Sequence, residues 1–176
     1  MESTVQIRSR TASALAVGIV TVAVVGLVST VIDGGDALLD YGAPLLLIGL
    51  MGWAAFWRPC VEVSDGGVRV VNTLRTVQVP WPAIEAVEGR YGLRLQTAYG
   101  GVTAWGAGAP AGRQRTRGVD SEAATVINER LAALRAAGHL DDRRLERPDL
   151  RVTWHRKLIA AVAVLLVASV VLPLIG

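Results

Sequence analysis

Cysteine, histidine and lysine are nearly missing from this chain of 176 residues. Cys60 is the one thiol, so no intrachain disulfide can form and no cysteine-rich metal cluster can be built. It reads as a small buried hydrophobe. The two histidines, His139 and His155, have no ligand partners at the spacing that zinc sites use. Lys157 is the only lysine, so the glycine pairs Gly100-Gly101 and Gly106-x-Gly108 lack the lysine of a phosphate-binding loop. No G-x-S-x-G elbow presents a serine nucleophile. Glu85 and Glu88 fit a solvated face better than a catalytic pair. The chain is therefore expected not to be an enzyme, to bind no metal and to use no cofactor.

What remains is arginine and apolar sequence. Lys and Arg total 18 against 15 Asp and Glu, and the pI is about 9.6. Hydrophobic residues make up 52% and mean hydropathy is +0.42, both high for a soluble domain. The apolar residues gather in three blocks, and none of the blocks contains a charge. An ion or proton path through a membrane usually needs one, which argues against a transporter or channel.

Ala12 to Ile32 is an uncharged run of 21 residues. At about 1.5 Å per residue it can cross a hydrocarbon core of about 30 Å. Its apolar residues cover every face, unlike those of a surface amphipathic helix. The run exceeds the roughly 7–15 apolar residues of a signal peptide, and no small-x-small cleavage site follows, so a retained anchor is expected. Ala14 and Gly18 offer a small-residue seam for helix packing. Tyr41 to Trp57 is the second run, with Pro44 in its expected first turn. Trp53, Phe56 and Trp57 crowd its end, as aromatic residues do at a headgroup boundary. Leu158 to Gly176 is the third, entered past Trp154, with Pro173 near its end.

The flanking charges orient these spans. Arg8 and Arg10 precede the first. Asp33, Asp36 and Asp40 lie between the first and second, with no basic residue. Arg58 follows the second, and Arg151, Arg156 and Lys157 precede the third. One threading puts every basic flank on one side, which the positive-inside rule makes the cytoplasm. The expected organisation is a cytoplasmic N-terminus (1–11), a span (12–32), an outer loop (33–40), a span (41–57), a cytoplasmic domain (58–137), a basic juxtamembrane segment (138–157) and a span (158–176) ending outside. The three aspartates lack an EF-hand pattern and are expected to form a solvated outer turn, not a metal site.

The domain alternates. Val61 and Val63 flank Glu62, and Asp65-Gly66-Gly67 supplies a tight turn able to take positive φ. Val68 and Val70 flank Arg69, and a further run holds Leu74, Val77 and Val79. Tyr91 to Thr97 alternates clearly, Tyr99-Gly100-Gly101 turns, and Val102 to Trp105 is a last short strand. Strands of this period with turns about every ten residues describe a small antiparallel sheet or barrel. Gly106 to Gly118 has no periodicity and is expected as a linker. Residues 120–137 read as a helix with Asp120 as N-cap, Glu122 in the first turn, an apolar stripe of Ala124, Ile127, Leu131 and Leu134, and Gly138 as the C′ stop. The sheet is the natural cover for that stripe.

The segment Val61-Glu62-Val63-Ser64-Asp65-Gly66-Gly67-Val68-Arg69-Val70, the run Val79-Pro80-Trp81-Pro82-Ala83-Ile84-Glu85-Ala86-Val87 and the strand from Gly92 to Leu95 resemble the PH-like domains of actinobacterial membrane proteins, the family that includes the low-molecular-weight protein antigen 6 proteins. The resemblance covers about residues 59–107. It implies a membrane-associated α+β module without known catalysis, often preceded by two hydrophobic helices. The expected fold is thus three transmembrane helices plus a PH-like domain of antiparallel sheet with one C-terminal helix.

Two basic runs stand beside that domain. Arg113, Arg115 and Arg117 form the first; Arg143, Arg144, Arg147, Arg151, Arg156 and Lys157 form the second. No helix-turn-helix or RNA-binding motif accompanies them, so nucleic acid is not the expected partner. The second run is a candidate contact for anionic lipid headgroups, at about 1 kcal/mol per charge near the surface. Retention of charge on the inner side explains it almost as well. Trp81 is a candidate partner contact, against the alternative of a ring packed between sheet and loop. Two functions follow: a membrane-anchored module facing an unidentified protein or the inner leaflet, or a structural or assembly subunit acting through its helices.

Overall fold

Valines that alternate with polar residues over 61–79 fall on one side of a pleated strand. In the computed structural model, which describes residues 4–108, 120–140 and 149–175, these segments pair as β2 (Cys60–Ser64), β3 (Gly67–Val71) and β4 (Arg75–Pro80). Val61 stands opposite Val70 and Val70 opposite Val77; Val63 stands opposite Val68 and Val68 opposite Val79. Two rows of cross-strand valines thus line one face, and all six side chains are buried. Gly67 closes the β2–β3 turn at φ 148°, and a Cβ there would stand 2.4 Å from the Val79 carbonyl oxygen. Both facts restrict the position to glycine.

Two further strands complete this sheet from distant parts of the chain. β1 (Val5–Ile7) pairs antiparallel with β2, and β8 (Arg151–Trp154) with β4, giving the order β1-β2-β3-β4-β8. Both correct the expected organisation. The N-terminal tail contains a strand of the domain, and the basic segment 138–157 contains another. Three or four residues are too few for a local periodic signal, and pairing with a preformed neighbour stabilises them instead.

A second sheet holds β5 (Ile84–Glu88), β6 (Leu93–Thr97) and β7 (Gly100–Ala104) in that order. A 3₁₀ turn at Trp81–Ala83 carries the chain from the first sheet to the second. α3 (Glu122–Ala136) covers the core: Ala123, Ala124, Ile127 and Leu131 are buried against the sheets, and Leu134 packs beside them. The expected stripe thus finds the expected cover. The N-cap is Ser121, not Asp120: its hydroxyl accepts from the Ala124 N–H at 3.3 Å. At the other end His139 N–H donates to Leu134 O, and Gly138, at φ 72°, donates to Arg135 O. This is the Schellman pattern that a C′ glycine permits. Replacing Ser121 by alanine is expected to cost about 1 kcal/mol, with Asp120→Ala near neutral; thermal unfolding of the two variants checks which residue caps the helix.

The chain divides into two compact units, one of Met1–Ser9 with Pro59–Trp154 and the other of Arg10–Arg58 with His155–Gly176. The second unit is helical: α1 (Arg10–Asp33), α2 (Gly35–Gly52) continued by a π-helical turn at Trp53–Trp57, and α4 (Arg156–Ile175). All three are long and apolar enough to cross a membrane by length and composition. The expected outer loop 33–40 is mostly helix, because α2 starts at Gly35. Asp36 falls in its first turn, where negative charge suits the helix dipole. Pro44 accordingly lies inside the helix and not in its first turn.

α1 and α2 meet along a small-residue seam, though not the expected one. Ala14 is exposed and Gly18 has no neighbour within 4 Å of a notional Cβ. The seam runs instead through Ile19, Ala23 and Gly26 of α1 against Gly52, Gly49 and Leu45 of α2. A Cβ on Gly52 would stand 2.4 Å from Ile19 Cγ2. Absent side chains let the backbones approach, which favours close van der Waals packing between the two helices.

Candidate binding surfaces

Strand register decides which residues share each surface of the sheet domain. Residues opposite one another point the same way, so Gln6, Glu62, Arg69, Gln78 and Arg151 form one polar row across all five strands. Arg69 Nη1 pairs with Glu62 Oε2 at 3.1 Å. Beside this row lies a shallow cavity of about 380 Å³, bordered by Gly66, Arg69, Gln78, Pro80, Asp149 and Arg151. Its arginines are offset by Asp149 and Glu62, so the row and the cavity together offer no net charge to an anion. Nearer α3, Arg130 and Asp65 form an ion pair that ties the β2–β3 hairpin to the helix.

The opposite end of the sheets is built differently. Asn72 follows β3 and joins the two sheets through its side-chain amide: Nδ2 donates to Thr103 O at 2.8 Å, and Oδ1 accepts from Trp105 N–H at 3.0 Å. Its own N–H donates to Arg75 O, closing the β3–β4 loop. Replacing Asn72 by alanine removes a donor and an acceptor together. The expected loss is about 1 kcal/mol, given that both bonds are solvent-exposed, read as a lower unfolding midpoint. Gly106 follows, and its carbonyl accepts from Ser9 N–H at 3.0 Å. Leu74, Trp105 and Trp154 are exposed at this end, and the Arg75 guanidinium lies over the Trp154 ring, 5.8 Å from its centre.

These are the strands, helix and turns to which the family model described as Bacterial PH domain is fitted, over residues 58–153. This chain belongs to the bacterial PH domain family. The match runs through α3 into β8, well past the segment of resemblance read from local pattern. Comparison with the curated proteins and with the solved structures finds no match. The PH domain of this chain also takes in β1, which precedes the matched residues and is separated from them by α1 and α2. PH domain membership suggests a binding module.

The expected contact residues are distributed unevenly within this PH protein. Trp81 is 4% exposed, and its Nε1–H donates to Ser64 O at 3.1 Å. It is a core residue and not a partner contact, because both its ring and its polar atom are satisfied inside the domain. Arg151 lies in β8 on the polar row, whereas Arg156 and Lys157 open α4. Arg143, Arg144 and Arg147 lie outside the described residues, as do Arg113, Arg115 and Arg117. Cys60 is buried, with Gln6 Nε2 3.3 Å from its sulfur. Among the described residues no three metal-ligating side chains converge. Sequence reasoning missed Leu74, Arg75 and Trp105 as neighbours, since only pairing between strands brings them together. Trp154 was read only as a helix flank.

In the helical unit, Arg58 Nη2 lies 3.0 Å from His155 Nδ1 and the Arg58 guanidinium lies over the Trp53 ring. Arginine can only donate, so Nδ1 is the acceptor and the imidazole proton sits on Nε2. The contact links the residue after the π-helical turn to the residue before α4.

Proposed function

We propose that the chain is a membrane-anchored, non-catalytic PH module of the actinobacterial low-molecular-weight protein antigen 6 type. α1, α2 and α4 hold it in the cell membrane, and the PH domain faces the cytoplasm, toward a protein partner or the inner leaflet. The observation that carries this reading is α4: its 20 residues are apolar almost throughout, and none is buried. Val164, Leu166, Val167, Val170, Leu174 and Ile175 all face outward. An apolar surface of that extent is unfavourable in water and neutral in lipid hydrocarbon. The one-sided arginine flanks support the orientation, and the residue complement, with its two histidines and one lysine, supports a role without catalysis.

Carbonate extraction of membranes and reporter fusions test this. The chain is expected to stay in the pellet, with fusions after Arg58 and before Arg151 reporting cytoplasm and a fusion at Asp36 reporting outside. Release by carbonate, or a cytoplasmic Asp36, overturns it. Flotation of the full chain in vesicles, and pull-down in mild detergent, then separate lipid contact from a protein partner. The full chain is needed because a fragment starting at Pro59 lacks β1.

A further inference from the structure

The PH domain has two chemically different ends. The chain leaves it at Ser9, Pro59 and Trp154, and register puts all three exits at the same end. β1 runs toward Ser9, β2 starts at Cys60 opposite the end of β3, and β8 finishes at Trp154 opposite Arg75. The Ser9–Gly106 and Asn72–Trp105 hydrogen bonds add the close of β7 to that end. Here Trp105 is 73% exposed, Trp154 52% and Leu74 48%. The segments that close this end of the first sheet and β7 and run on toward the helices, 7–10, 58–60, 72–75, 104–106 and 154–157, contain Arg8, Arg10, Arg58, Arg75, Arg156 and Lys157 and no acidic residue. The β5–β6 turn, which register puts at the same end as the close of β7, adds Glu88, Arg90 and the exposed Tyr91. At the far end the β2–β3 turn carries Asp65, and Asp149 precedes β8.

We infer that this end is a lipid-contacting collar, in which Leu74, Trp105 and Trp154 enter the headgroup layer of the bilayer that holds the helices and Arg75 meets anionic headgroups. The inference rests on the membrane reading above. Tryptophan prefers the boundary between water and hydrocarbon, where its ring is apolar and its N–H wet. Arginine beside it gains from anionic lipid. The tethers are short: Arg8 and Ser9 separate β1 from α1, Arg58 and Pro59 separate the π-helical turn from β2, and His155 alone separates β8 from α4. At about 3.5 Å per residue, none of these connectors reaches beyond about 11 Å. An aromatic end with a net excess of arginine on such tethers fits the anionic surface at which the helices emerge. The far end, with its aspartates, is left facing away from the membrane.

Spin labels on the full chain in nanodiscs containing phosphatidylglycerol test the collar. Cys60→Ala removes the native thiol, and single cysteines are introduced by Leu74→Cys at the collar, Gly66→Cys at the far turn and Val24→Cys in the middle of α1. The label at 74 is expected to show headgroup depth, with access to aqueous nickel several-fold below that of the label at 66, and the label at 24 to sit in hydrocarbon. Adding Trp105→Ser and Trp154→Ser is expected to move the label at 74 into water. If 74 is as water-accessible as 66 while 24 lies in hydrocarbon, the collar is wrong, the membrane reading stands, and this end is open to a protein. If 24 is itself in water, both readings fall.

Discussion

Replacing Gly106 by alanine is expected to destabilise the PH domain by about 3 kcal/mol, lowering the unfolding midpoint by roughly 12–24 °C. A Cβ at this position would stand 2.3 Å from both the carbonyl carbon and the oxygen of Pro59, and 2.5 Å from Cys60 N. These are backbone atoms, held by the pairing of β2 with β1 and β3, and cannot swing aside as a side chain would. The Gly106 carbonyl also receives the Ser9 N–H, so relief by backbone movement would break the bond that anchors the end of β1. Gly66→Ala is the matched control, because a Cβ there meets nothing within 4 Å and its φ is not positive. Its effect is expected to stay within about 0.5 kcal/mol. Thermal unfolding of the full chain in detergent, followed by circular dichroism in the far ultraviolet, compares the two. Equal midpoints would mean that β7 does not close on the start of β2.

Replacing Trp81 by alanine is expected to cost about 3–5 kcal/mol, the largest effect of any tryptophan in the domain. The ring belongs to the core cluster at the turn joining the two sheets, so its loss leaves a cavity bordered by both. Trp81→Phe keeps most of the volume but leaves the Ser64 carbonyl without its indole donor, at a cost of about 1 kcal/mol. Trp105→Ala, at an exposed ring, is expected to change stability in detergent by no more than about 0.5 kcal/mol. Denaturant unfolding read by near-ultraviolet circular dichroism orders the three variants. A Trp81→Ala protein as stable as Trp105→Ala would return Trp81 to the surface.

The contrast between these tryptophans shows where local pattern stops being informative. Pro80-Trp81 was legible as a motif, but its direction was not. The side chain turns inward because the 3₁₀ turn after β4 aims it across the Ser64 carbonyl, a partner 17 residues away. Trp154 read as a helix flank because the next residues open an apolar run. Its place at the end of β8 depends on pairing with Arg75, 79 positions earlier. Val152 and Trp154 do alternate with Arg151 and Thr153, but four residues set among arginines are too few to read as a strand. The helix cap was off by one residue for a related reason. Asp120 and Ser121 are both good caps, and Gly89 decides between them, since its carbonyl takes the Ser121 N–H and positions the hydroxyl.

Continuous apolar runs, valine alternation, the Asp-Gly-Gly turn and the Gly138 stop were all determined by sequence alone. Each depends on neighbours within a turn or a hairpin, and backbone sterics and side-chain period act at that range. The discontinuous sheet, the inward Trp81, the seam through Gly52 and the grouping of Leu74, Arg75, Trp105 and Trp154 at one end were decided only in three dimensions. Those features rest on contacts between residues tens of positions apart, such as Gln6 with Glu62, and no local preference encodes them. Strand partners are chosen by which apolar faces can be buried together, and that choice exists only once the chain has folded back on itself.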